Sequence, residues 1–581
     1  MQERGFGFSS PYNKVMQNIS IENSVARLLL FSGPFITLFI LMEGVSDPVN
    51  ITKMLVLAPL AFTLLGLTLS QWKVIRARDN SSLLIASTLF MVALFASVVF
   101  SKAPLSQLLF GNYGRNTGLI TYLSFLFIFV ATATLKQLKF SGNLLKALMI
   151  AGVVNALYGI LQLTHNDPLP WNNTYNTILG TLGNPDFISA FLGITVVVSI
   201  AWLVAKSSTW KLRAFSLLYA ILALIEIKMS HAIQGFAVAG IGIAVVGFYV
   251  VRAWFKNNFA TVGYVILLSI AGFMSLMGAL QKGPLSQYIY KTSVSLRGEY
   301  WAGAINTGKS HPIFGVGLDT YGDWYRRERR PSALVLPGPN TVVNAAHNVF
   351  LDMFASGGLF LFVTYLILIA FSVRAIIRLT LRKRSYDATF AALTAGWIGF
   401  QVQSAVSINQ IGLAIWGWLL GGALISYEIC TRESSPGIAV TSRKASKRRI
   451  QKANYSLPAS TILIGALAGM IGLLLVLPSF MSDNRWYWAV RSTKVDLIQQ
   501  AALSHPMDSY RLAYAASILA DNNYDQQALT VAREATKFNP NDSNAWTVVT
   551  MVKTVSQKEK ANAIKHMKQL DPLNTTLNEL K

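Results

Sequence analysis

Histidine and arginine are the residue types in this chain that are best suited to chemistry at a membrane boundary. An imidazole titrates near neutral pH and carries protons between reacting groups, while a guanidinium stays charged and meets paired phosphate oxygens with a planar donor fork. Four stretches bring such groups to the ends of long apolar runs. Arg115 lies in FGNYGRNTG (110–118), and Lys228 stands two residues after Glu226. Arg297 opens RGEYW (297–301), which is followed by SHPIFGVGL (310–318). His347 stands in AAHNVFLD (345–352), just ahead of another apolar run. Charges at such places are costly and rare, so each is a candidate for function. Plainer explanations compete: a local ion pair of Lys228 with Glu226, interfacial snorkelling of Arg115 and Arg297, and an interfacial histidine orienting the next span. His311 opens a turn before Pro312 and is read as structural; His165, His231, His505 and His566 have no companions that suggest a ligand set.

The elements that must position these groups are membrane helices. Of 581 residues 53% are hydrophobic and 13% charged, and the mean hydropathy is positive, too apolar for a chain solvated by water throughout. Thirteen apolar runs have the length that carries a helix across about 30 Å of hydrocarbon. They are 25–42, 51–69, 83–100, 117–135, 144–163, 187–205, 215–229, 235–251, 260–280, 349–373, 388–408, 411–427 and 457–480. Backbone groups in lipid must pair within their own segment, so the predicted fold class is all-α, a polytopic bundle of about thirteen spans over residues 1–480.

The formal charge of +24 invites a nucleic-acid partner, but its placement predicts none. Basic residues cluster in alternate connections: Lys73, Arg76 and Arg78; Lys136 and Lys139; Lys206, Lys211 and Arg213; Arg252 and Lys256; Arg374 to Arg384; Arg432 to Lys452. The intervening short connections 43–50, 165–184 and 408–410 carry none, the pattern of a cell-membrane protein with its N-terminus cytoplasmic and its C-terminus outside. Met1 to Ser24 is polar and no cleavable signal is expected; the single Cys430 rules out an internal disulfide framework.

Two segments break the rhythm. The large connection 281–346 falls outside and is expected to be partly helical, because structureless loops of that length are uncommon. Residues 481–581 form a second, extracytoplasmic unit in which Pro506, Pro540 and Pro572 recur at spacings of 34 and 32. Small and apolar positions lie between them (Leu512, Ala515, Ala516, Leu519, Ala528, Ala532, Ala535), which resembles a tetratricopeptide array. It is read as a docking surface for an acceptor or a protein partner; the alternative is a helical cap on the membrane domain.

The four stretches above, with GTLGNP (180–185), resemble the O-antigen ligase family of membrane glycosyltransferases, which includes O-antigen polymerases and protein O-oligosaccharyltransferases. The resemblance covers about 111–361 and is densest over 297–358. It implies transfer of a glycan from a polyprenyl-diphosphate carrier to a hydroxyl on a lipid, glycan or protein, on the outer side of the cytoplasmic membrane, with no cofactor and no metal. In that chemistry His347 is expected as general base, Arg297 and Arg115 as diphosphate clamps, and Lys228 as a further diphosphate ligand. The chain departs from the family after Ser230, where His231, Ala232, Ile233 and Gln234 stand in place of an arginine, and at Leu361, in place of a second glycine. Gln403 to Gln410 is polar enough to line a sugar cavity. A polymerase of the same family and a lipid-linked glycan flippase are the alternatives; no paired halves typical of transporters are evident. No Asp-x-Asp occurs to hold a metal for a metal-dependent transferase.

Overall fold

Every regular element of the computed structural model is helical among its described residues, which are 11–76, 80–433 and 457–579. Nine of the described helices are long and apolar enough to cross a bilayer, and they coincide with nine of the thirteen apolar runs. The other four runs fall on helices that miss that standard for local reasons. Leu119–Ala133 has only 15 residues. Trp210–Met229 carries Lys211, Arg213, Glu226 and Lys228. Pro11–Leu38 begins with a polar half, and Ala388–Val406 is diluted by Thr389, Thr394, Gln401 and Gln403.

The connections sort onto two faces. On one, the Asn50 amide donates to the Gly114 carbonyl at 2.7 Å, Gln410 donates to Asn50 at 3.3 Å, and Lys291 Nζ donates to the His231 carbonyl at 3.1 Å. On the other, Arg384 donates to the carbonyls of Phe255 and Asn257, Arg252 to that of Thr380, and Arg382 pairs with Glu428 at 3.3 Å. The two faces divide the described basic connections from the connections that carry the candidate groups. Arg78, the basic stretch 443–452 and residues 1–10 lie outside the described residues. Between the faces the helices pack closely. Trp416 is fully buried and donates to Thr37 Oγ1 at 2.8 Å, and a Cβ at Gly33 would come within 2.7 Å of its ring.

The helix Val349–Arg382 is broken at Gly358, where φ is 62° and ψ −161°, a conformation open to glycine alone at low cost. The break exposes backbone donors and acceptors, and residues 312–317 fill it. Leu359 N donates to Pro312 O at 2.8 Å, Val316 N to Ala355 O at 3.0 Å and Gly317 N to Ser356 O at 2.9 Å. A Cβ at Gly358 would meet the Ile313 carbonyl carbon at 2.4 Å. Leu361, the departure from the family's second glycine, is buried in the core one turn later. The large connection is partly helical, with Ser286–Ile289, Thr292–Ser310, Tyr321–Glu328 and a short turn Pro331–Leu334.

Ala459–Ser492 lies along Asn50–Ser70, its Gly465, Gly469 and Gly472 allowing the backbones to approach where a Cβ would clash. Beyond it, Ser509–Asp521 pairs with Asp525–Phe538, and Ser543–Met551 with Gln557–Leu570. Asp508 and Asp542 each cap the first helix of a pair, accepting Arg511 N at 3.0 Å and Asn544 N at 2.8 Å. Buried Ala515, Ala516, Ala528, Ala532 and Ala535 let the first pair pack tightly. This unit sits on the large connection. Arg329 and Asp571 form a buried ion pair at 2.6 Å, Asn539 donates to Asp323 at 3.0 Å, and Ser106 donates to the Met507 carbonyl at 2.8 Å.

Candidate active site

His347 is held in a left-handed conformation, φ 53°, at the mouth of Val349–Arg382. Two devices fix it. Asn348 caps the helix by accepting Leu351 N at 3.1 Å, and Asp352, one turn in, accepts Ala346 N at 2.8 Å. The imidazole Nδ1 is 3.2 Å from the Ala345 carbonyl. A carbonyl only accepts, so Nδ1 carries the proton and Nε2 of the neutral ring has a free lone pair. Burial pulls the His347 pKa down to about 4, aided by the nearby charges of Arg297 and Arg115 and opposed by the Ala345 bond. The ring is therefore neutral at physiological pH, the form a base requires.

Arg297 comes from the helix Thr292–Ser310. Tyr300, one turn on and so on the same face, packs its ring 5.4 Å from that of His347 and links the two candidates. Arg297 is held loosely, with Asp186 at 3.9 Å, and its Nε is buried without a hydrogen-bond partner among the described residues. Burial pushes its pKa below the ordinary guanidinium range, with Asp186 and Tyr300 opposing. Its head lines a cavity of about 1210 Å³ together with Lys291, His231 and Gln234. Both polar atoms of the Gln234 side chain are also buried and unpaired. Away from this polar mouth the walls are apolar: Phe236, Ile241, Val245 and Phe248 face Leu268 and Leu276 on one side and Ile376, Ile377 and Leu381 on another. From Ile233 to Tyr249 the cavity follows its helix for about 24 Å. The outer wall, Asn258–Ala279, is exposed along most of its length, including Phe259, Leu267 and Phe273.

Arg115 is differently placed from Arg297. It is buried, with its guanidinium 3.3 Å from Asp319 and 3.9 Å from Asp352, and it donates to the Asn344 carbonyl. Burial lowers its pKa, but the two carboxylates more than offset this and the net shift is upward. Asp319 also accepts Asn112 N at 2.8 Å and Thr117 Oγ1 at 3.0 Å, so one carboxylate closes the whole 111–118 turn. Gly111 is required there, since a Cβ would come within 2.7 Å of Asp319 Oδ2. Arg115 thus joins Asp319 to Asp352 and, through Asp352, to the backbone beside His347.

Lys228 is exposed, makes no ion pair with Glu226 among the described residues, and is not part of the cavity wall. Glu226 is buried, with both carboxylate oxygens unpaired, so the local pair does not explain it. Lys291 stands instead beside His231, where the family's arginine is missing; it lies in a connection, where a lysine carries no signal in the sequence. Asp319 and Asp352 carry no sequence signal as partners of Arg115, being more than two hundred residues away in the chain. Asn409 and Gln410 are buried and bonded to Tyr122 and Asn50, so these two tie neighbouring segments together, while both polar atoms of the Gln403 side chain are buried without a hydrogen-bond partner among the described residues. His311 packs edge-on against Trp324 at 4.5 Å, in keeping with a structural role.

The O-antigen ligase family model matches residues 188–366. No curated protein matches the chain. The matched stretch begins in the helix Pro185–Leu203, ends in the broken helix Val349–Arg382, and carries His231, Gln234, Lys291, Arg297 and His347 between them. Residues 188–366 therefore carry an O-antigen ligase domain.

Proposed function

We propose that the protein transfers a glycan from a polyprenyl-diphosphate carrier to an acceptor hydroxyl on the outer side of the cytoplasmic membrane. One observation carries the reading: a single cavity joins a cationic mouth, Arg297 and Lys291, to an apolar wall about 24 Å long. A lipid diphosphate has that same division, a doubly charged head on a long hydrocarbon chain. The head meets Arg297, whose fork suits paired oxygens, while Lys291 supplies a second charge in place of the absent family arginine. The chain lies along the groove.

His347 Nε2 takes the proton of the acceptor hydroxyl as its oxygen forms a bond to the sugar C1. The bond from C1 to the diphosphate oxygen breaks, and its electron pair leaves with the polyprenyl diphosphate, whose growing charge Arg297 meets. Arg115 acts as a positioning residue through Asp352. Ligase and polymerase chemistry share these steps and differ in the hydroxyl that attacks. Flipping a lipid-linked glycan needs no base.

Charge neutralisation by side chains makes transfer independent of divalent metal. Purified protein in proteoliposomes, supplied with the lipid-linked glycan and its acceptor, is expected to retain transfer in excess chelator. Arg297→Lys, which keeps the charge and loses the fork, is expected to lose roughly 10²-fold or more. Wild-type transfer by Arg297→Lys, or activity that returns only with added magnesium, contradicts the reading. Reporter fusions after Asn578 and within 443–452 are expected to be active only as extracytoplasmic and cytoplasmic enzymes respectively, and reversed activities overturn the assigned side.

A further inference from the structure

A second cavity, of about 350 Å³, opens between the C-terminal helices and the connections that carry the site. One wall is a column of three tyrosines. Tyr113, two residues before Arg115, stacks on Tyr510 at 4.9 Å with the rings parallel to 1°, and Tyr510 stacks on Tyr514 at 5.6 Å and 8°. Tyr510 lies between the other two rings, and Tyr514, 43% exposed, ends the column. Around the column stand Asn112, Asn344 and Asn544, whose side-chain amides make no hydrogen bond among the described residues. Arg326, by contrast, is spent on Ser543 Oγ at 3.0 Å and the Asn340 carbonyl at 3.1 Å.

These are the groups that recognise a sugar. A pyranose ring presents an apolar face of C–H bonds, which rests on an aromatic ring, and a rim of hydroxyls that both donate and accept. A side-chain amide does both as well, and so pairs with neighbouring hydroxyls. Among the cavity's described lining residues the one cation, Arg326, already donates to Ser543 and Asn340, and the carboxylates of Asp323 and Asp542 disfavour a phosphate. Its volume lies at the low end of the roughly 300–1,000 Å³ of small-ligand sites, room for a short stretch of glycan.

We propose that this cleft is a carbohydrate subsite, built half from the membrane domain and half from the C-terminal helices. Asn344 ties it to the reaction. It is three residues before His347, at most about 11 Å along the chain, and its carbonyl is held by Arg115. The cleft therefore holds sugar units lying next to the reacting one, and this placement rests on the glycosyl-transfer reading. Binding itself does not. The C-terminal unit then has a definite occupant, glycan, and its repeats serve to present Tyr510, Tyr514 and Asn544 to the site.

The test is binding to the full-length protein in nanodiscs, measured by saturation-transfer nuclear magnetic resonance and calorimetry without turnover. The probes are two free oligosaccharides from the producing cells: glycan released from the lipid carrier by mild acid, and glycan cleaved from the surface acceptor. At least one is expected to bind, with affinity falling roughly tenfold in Tyr514→Ala and several-fold in Asn544→Ala. Asn544 is exposed, so its variant keeps the fold if removal of Tyr514 does not. Binding of the carrier-derived glycan makes the cleft a donor subsite, and binding of the other makes it an acceptor subsite. The proposal is overturned if neither probe binds, or if binding is unchanged in both variants. Sugar binding in a protein that fails every transfer assay leaves the cleft standing and removes only its place in the reaction.

Discussion

Asp352 holds the amide of Ala346 at 2.8 Å, immediately before His347, while its other oxygen lies 3.9 Å from Arg115. One carboxylate therefore fixes the backbone beside the imidazole and anchors the cation that joins two distant connections.

Substitution of Asp352 separates those duties. Asp352→Asn keeps an acceptor for Ala346 and loses the charge; Asp352→Ala loses both. Transfer rates are expected to fall in the order wild type, Asn, Ala, with the alanine variant down roughly 10²-fold and donor binding little changed. An asparagine variant as impaired as the alanine one would show that charge, and not the hydrogen bond, sets the geometry.

The pH profile reads the state of the imidazole. His347 is pulled down to about 4 by burial, so the ring stays neutral as pH falls through the usual histidine range. The acidic limb of kcat/KM is expected near pH 4, with a flat rate between about pH 5 and 7. A fall centred near pH 6.5 that persists in Asp352→Asn, where the neighbouring carboxylate is gone as a second titrating group, would place the imidazole in a solvated setting and contradict the burial.

The buried pair of Arg329 and Asp571, with side chains 0% and 1% exposed, ties the C-terminal unit down. Removing one partner strands the other, at a cost of about 3–5 kcal/mol, whereas replacing both with apolar residues of similar volume costs little. Asp571→Ala is expected to release residues 509–570 to protease and hydrogen exchange, with Arg329→Met and Asp571→Leu together restoring protection. Equal protection in Asp571→Ala would show that other contacts dock the unit. Truncation at Ser509 also strands Arg329, so it is expected to disturb the acceptor side before the lipid cavity.

The bundle was legible because membrane helices announce themselves as long apolar runs; the nine strongest depend on composition alone. His347 and Arg297 were legible by residue type at a boundary where charge is costly. What sequence concealed was pairing. Arg115 has the chemistry of a phosphate clamp, but Asp319 and Asp352 reach it from far along the chain and occupy its fork. Lys291, and not Lys228, lines the cavity, because residue type alone does not say where the path of a connection carries a side chain. The threading of 312–317 through the gap at Gly358 depends on single hydrogen bonds, and a glycine in an apolar run does not declare them.

The most direct test of the account is single-turnover transfer by His347→Ala, measured beside binding of the lipid-linked donor. A base contributes about 10² to 10⁴ in rate, and the diphosphate is held by other residues. Transfer is expected to fall at least 10²-fold, with donor affinity nearly intact. A His347→Ala protein that keeps more than about a tenth of the wild-type rate would contradict the base role and reduce His347 to a residue that orients its helix.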